Sequence, residues 1–110
     1  MNFPDSIKVG AVVYKVRILP EDERFHEYNE EYGHIDFTSR EISLSTKYSD
    51  EQKRDSLVHE IVHAISKHMN LGAEWGDEDE NYVKRLSNGL NMVFRDNPDI
   101  LELFKTKDHN

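Results

Sequence analysis

The chain has no cysteine. A disulfide framework and a thiolate metal site are therefore excluded, and any bound metal has to be held by His, Asp or Glu. Basic residues are in the minority, 14 Lys and Arg against 22 Asp and Glu, for a formal net charge of −8. A field of that sign repels the phosphate backbone and anionic lipid headgroups, so neither nucleic acid nor a membrane is an expected partner. No apolar run approaches transmembrane length, and Met1-Asn2-Phe3-Pro4-Asp5 lacks the basic start and apolar stretch of a secretory leader, which makes the cytoplasm the expected compartment. Proline and glycine are scarce, 3 and 5 residues, and no stretch rich in them divides the chain. Residues 1–110 read as one domain. With 36% hydrophobic and 33% charged residues its core is modest, although 10% aromatics and two long apolar patterns argue against disorder.

Tyr14, Val16 and Ile18 alternate with Lys15 and Arg17, the period of a half-buried strand, and Gly10-Ala11 turns Ile7–Val9 into it as a hairpin. Residues 20–32 are mostly acidic and aromatic without a period and read as a loop. His34–Phe37 and Glu41–Ser45 alternate again, with Ile35, Phe37, Ile42 and Leu44 as the inward set and Thr38-Ser39-Arg40 as the turn. Ser49-Asp50-Glu51-Gln52 has the spacing of a capping box. The helix it opens carries Leu57, Val58, Ile61, Val62, Ala64, Ile65 and Met69 as a broad apolar stripe and stops at Asn70-Leu71-Gly72. Asp77 can cap a second helix with Tyr82, Val83, Leu86, Leu90 and Val93 on one side, ending at Asn97-Pro98, after which a short turn runs through Phe104. The expected architecture is α+β: a small antiparallel sheet of about four strands with two main helices packed on one face.

Within the first helix stands His59-Glu60-Ile61-Val62-His63. Positions i and i+4 lie one turn apart on one helix face, so the two imidazoles can chelate one ion, most naturally zinc. Glu60, one residue past the first histidine, is placed to act as a base on water rather than as a ligand. In a chain with 6 histidines such a pentad also arises by chance, so its setting decides. Here it sits in a capped helix between Val58, Ile61, Val62 and Ala64, on apolar surface. Two ordinary helix histidines are the alternative reading.

A catalytic site needs a third ligand. His26, His34, His68 and His109 are available, but none follows at the short spacing of three-histidine zinc proteases. The cluster Asp77-Glu78-Asp79-Glu80 opens the next helix and is the better source. Glu80 precedes Val83 by three residues and shares the side of Val83, Leu86 and Leu90; Asp79 is the runner-up and Glu78 a further alternative. Capping alone would also explain an acidic residue there.

Leu57-Val58-His59-Glu60-Ile61-Val62-His63-Ala64-Ile65, followed by Glu80-Asn81-Tyr82-Val83-Lys84-Arg85-Leu86-Ser87-Asn88-Gly89-Leu90, resembles the small gluzincin-type metallopeptidases of the ImmA/IrrE kind, above all their short phage and prophage versions. The likeness extends upstream through Gly33–Phe37 and Ile42–Leu44 and covers roughly residues 33–98. It implies one zinc on His59, His63 and Glu80, with Glu60 as catalytic base. It also implies a protein or peptide substrate, with a regulatory protein of the bacterial host cytoplasm as the candidate. The pattern departs at Lys84, where many gluzincins have an Asp or Asn that supports a ligand; Asp36 could stand in, or be a solvated strand carboxylate. Tyr28, Tyr32, His26 and His34 are candidates for a transition-state hydrogen-bond donor. The lone Trp75 reads as packing over the connection between the helices, and the acidic excess as a solvated face rather than a mimic of nucleic acid. Beside the peptidase stands a second class of function, a phage-encoded module that uses the scaffold to engage a host protein without cutting it.

Overall fold

In a computed structural model of the chain, residues 1–20 and 33–105 are described. Strands β1 (Ser6–Val9) and β2 (Val12–Leu19) form the first hairpin, β3 (Gly33–Asp36) and β4 (Glu41–Ser45) the second. Gly10 turns the first at φ 61°, and a Cβ there would collide with the His68 ring. The left-handed backbone is what calls for glycine, since the exposed His68 ring can swing aside.

Both hairpins are antiparallel, as expected, but they join through a parallel pairing of β2 with β4, so the sheet is mixed, in the order β1-β2-β4-β3. The reason is the length of chain between them: residues 20–32 followed by β3 supply the long connection a parallel pair requires. Strand β3 ends one residue before the expected boundary. The Asp36 carboxylate accepts from the backbone amides of Thr38 at 2.9 Å and Ser39 at 3.1 Å, which draws Phe37 into the turn and out of the inward set. Phe37 lies 36% exposed, edge-on to Tyr14 and beneath the Lys67 ammonium.

Helix α1 (Asp50–Met69) starts at the expected capping box, with both reciprocal hydrogen bonds present, and stops at Asn70, whose φ of 56° is left-handed. It lies on the sheet: Leu57 and Ala64 close over Tyr14, Ile35, Ile42 and Leu44, the last two fully buried on the central strand β4. The connection is itself helical, with α2 (Gly72–Trp75) and one 3-10 turn (Gly76–Glu78) leading into α3 (Asp79–Asp96). Asp77 therefore does not cap α3, because the amide of Asp79 already donates to the Gly76 carbonyl of the preceding turn. Trp75 stacks on Tyr82 with ring centroids 5.2 Å apart, packing over the connection as read from the sequence. A 3-10 helix, Pro98–Phe104, follows Asn97.

The two long helices are not side by side on the sheet. Helical spacing puts Leu57, Ile61, Ala64 and His68 on the sheet side of α1 and His59, Val62, His63 and Ser66 on the opposite side, against which α3 packs. Sheet, α1 and α3 follow one another as layers. Ile65 and Met69 fall between the two contact faces and stay 40% and 61% exposed. On α3 the inward stripe is Val83, Ser87 and Asn91, while Tyr82, Leu86 and Val93 remain exposed, contrary to the apolar side read from the sequence. Among the described residues no helix is long and apolar enough to cross a membrane.

Leu44→Ala is expected to cost about 2–5 kcal/mol, since the fully buried side chain leaves a cavity, whereas Leu86→Ala, 48% exposed, should cost about 1 kcal/mol or less. Urea unfolding followed by circular dichroism compares the two.

Candidate metal centre

His59 and His63 occupy adjacent turns of α1 and present their rings to the first turn of α3, with centroids 4.9 Å apart and planes at 71°. Their side chains are 25% and 19% exposed. Glu80 meets both: Oε1 lies 3.0 Å from His59 Nε2 and Oε2 lies 2.8 Å from His63 Nε2. Its neighbours in the acidic cluster are turned elsewhere. Asp79 accepts from the Ser66 hydroxyl at 2.9 Å, and Glu78 accepts from the Asn81 side-chain amide at 3.2 Å. One atom from each of His59, His63 and Glu80 lies within 4.8 Å of the others, a group that could hold a metal ion.

The donor set fits a cation on chemical grounds. Ser87 Oγ donates to the Lys84 carbonyl at 3.1 Å and lies 3.2 Å from His59 Nδ1. With that proton on the carbonyl, the hydroxyl accepts from Nδ1–H in the tautomer that leaves the His59 Nε2 lone pair facing a carboxylate oxygen. In that tautomer two acceptors face each other at 3.0 Å, an arrangement that a cation relieves. Protonation is the unfavoured choice, because burial first and the neighbouring His63 second push His59 below its ordinary value of 6.5, outweighing the attraction of Glu80. Nitrogen and oxygen ligands around a tetrahedral ion are about 3.4 Å apart for bonds near 2.1 Å. The Glu80 contacts, at 3.0 and 2.8 Å, are shorter than that spacing, and the carboxylate that would have to draw back is 66% exposed.

Glu60 is 5% exposed, an unusual position for a carboxylate, and it is partnered. Helical spacing puts it in line with Lys67, on the side of α1 where a cavity of about 200 Å³ opens between His63, Phe37, Lys67, Ser66 and Asp79. The remaining sequence candidates do not join the group. His34 is half-buried on β3 with a partner of its own, and His68 lies exposed against the Gly10 turn. Asp36 caps the β3–β4 turn, and its two backbone donors hold its carboxyl below the usual carboxylate value. His26, Tyr28, Tyr32 and His109 lie outside the described residues. The residue that sequence reasoning missed is Ser87, 1% exposed and on the stripe of α3 two turns beyond Glu80. Its signal was a small polar residue at helical spacing from the acidic position, which reads as an ordinary surface serine until the rotation of α3 is known.

No family model, curated protein or solved structure matches this chain.

The depressed pKa of His59 makes a signed prediction for the metal-free protein. The unfolded imidazole binds a proton more readily than the folded one, so this contribution is complete above 6.5 and lost as pH falls through the folded value. Asp36 and Asp50, both lowered from 3.8, lose their contributions only in stronger acid. Thermal melts in excess chelator should drop between about pH 7 and pH 5 for the native chain, and the drop should shrink in His59→Asn.

Proposed function

We propose that this chain is a zinc-dependent peptidase that hydrolyses a peptide bond of a protein substrate. The observation that carries the reading is the convergence of His59, His63 and Glu80 beside the buried Glu60. His59 and His63 would bind through Nε2 and Glu80 through its carboxylate, a set of three protein ligands that leaves a fourth position for water or substrate. Zinc held there would supply acidification of water and polarisation of a carbonyl. Glu60 takes a proton from water as the scissile carbonyl is attacked and returns it to the departing amine. Its burial keeps that carboxylate out of competition with bulk solvent. The cavity beside His63 offers a substrate side chain an apolar wall in Phe37 and a cation in Lys67.

Support comes from the resemblance to the ImmA/IrrE-type metallopeptidases, from which we also take a bacterial cytoplasmic setting and a phage or prophage origin. The non-cleaving binding module is the second reading, favoured by Lys84 at the position where many gluzincins place an acid or amide.

Glu60→Gln should retain about one zinc per chain and lose cleavage by about 10²–10⁴-fold, measured on substrate protein by mass spectrometry beside metal analysis. Full cleavage by that variant contradicts the mechanism. A host partner that co-purifies equally with both forms and is never cut favours the binding module.

A further inference from the structure

The stripe of α3 that faces α1 is built from Glu80, Val83, Ser87 and Asn91, and all but Val83 are polar. A polar seam between two helices is costly unless each group has a partner. Asn91 is directed at the Asp55 carbonyl near the start of α1. Ser87 is directed at His59: its Oγ is 3.2 Å from Nδ1, and its own proton goes back along the helix to the Lys84 carbonyl at 3.1 Å. The two neighbours of the His59 ring are thus two turns apart on a single helix, Glu80 at Nε2 and Ser87 at Nδ1, with Lys84 between them in sequence.

We propose that Ser87 is a positioning residue of the metal centre, accepting the Nδ1 proton of His59 so that the Nε2 lone pair is held toward the ion. The proposal rests on the reading of His59, His63 and Glu80 as ligands. A hydroxyl can serve because its single proton is already committed to the Lys84 carbonyl, which leaves it an acceptor toward the ring. The backbone of Lys84 therefore takes part directly, while its exposed side chain makes itself felt at His59 only through its charge. Being neutral, the hydroxyl fixes ring and tautomer without adding a second negative charge beside Glu80. The ligand set then carries one formal charge against the two of a divalent ion, and the centre stays net positive. A carboxylate at the same nitrogen would hold the ring as well but would cancel that charge.

The experiment is zinc affinity of the full chain by competition with a chromophoric chelator, native against Ser87→Ala. It is joined by proton NMR of the His59 Nδ1–H in the zinc-loaded native protein. Alanine is smaller than serine and a better helix former, so the metal-free melting temperature of the variant should be within a few degrees of native. Its zinc affinity should fall about 10–100-fold. The native Nδ1–H should exchange slowly with water, and this signal should be lost in the variant, an effect that loosened helix packing alone would not confine to one ring proton. Equal zinc affinity of the two proteins would overturn the role of Ser87, as would a native His59 Nδ1–H that exchanges as fast as an exposed imidazole. Absence of zinc binding by the native chain would overturn the ligand reading itself, and Ser87 with it.

Discussion

Helix α1 has to satisfy two opposite faces at once, and the rest of the molecule follows from that. One side needs apolar contact with the sheet and gets it from Leu57 and Ala64 over Ile42 and Leu44. The other side carries two imidazoles, which cannot be buried against hydrocarbon without partners. Helix α3 answers by turning Glu80 and Ser87 inward, and the turn that brings them in leaves Leu86 and Tyr82 in solvent. Val62 and Val83 share these facing stripes and are buried at 2% and 0% exposure, sealing the seam between the polar groups. The apolar area lost on α3 is the stability cost of a polar seam, a trade expected at a functional site.

The same seam explains the electrostatics. A neutral imidazole has one proton for two nitrogens, and both nitrogens of His59 have oxygen neighbours. Burial and the adjacent His63 oppose a second proton on the ring. A carboxylate that faces two imidazole nitrogens makes with them a group that could hold a metal cation. Glu60, buried and partnered, falls to one side of the face that carries the two histidines, an offset by which, in the proposed function, one short motif would supply both ligands and a base.

Features set by local chemistry were legible in the sequence. The Ser49 capping box, the Asn70 stop, both hairpins and the end of α3 at Asn97 follow from side chains acting on nearby backbone. The histidine pair was legible for the same reason, since i and i+4 are neighbours in any helix. What failed depended on distant partners. Parallel pairing of β2 with β4 has no local signature, because either edge of a hairpin can be paired. Phe37 moved out of the core because one carboxylate, Asp36, took the turn amides. Asp77 lost its capping role because the residues before it had already begun to coil. The rotation of α3, and with it Ser87, was hidden because the apolar periodicity of Tyr82, Leu86 and Val93 outweighs in sequence the polar stripe that the histidines select.

The proposed chemistry requires one zinc ion on three side chains from two helices, and diffraction at the zinc absorption edge tests this most directly. Crystals grown with zinc should show one anomalous peak per chain, about 2.0–2.2 Å from His59 Nε2, His63 Nε2 and the Glu80 carboxylate. A peak bound elsewhere, or none at these three residues, would contradict the account.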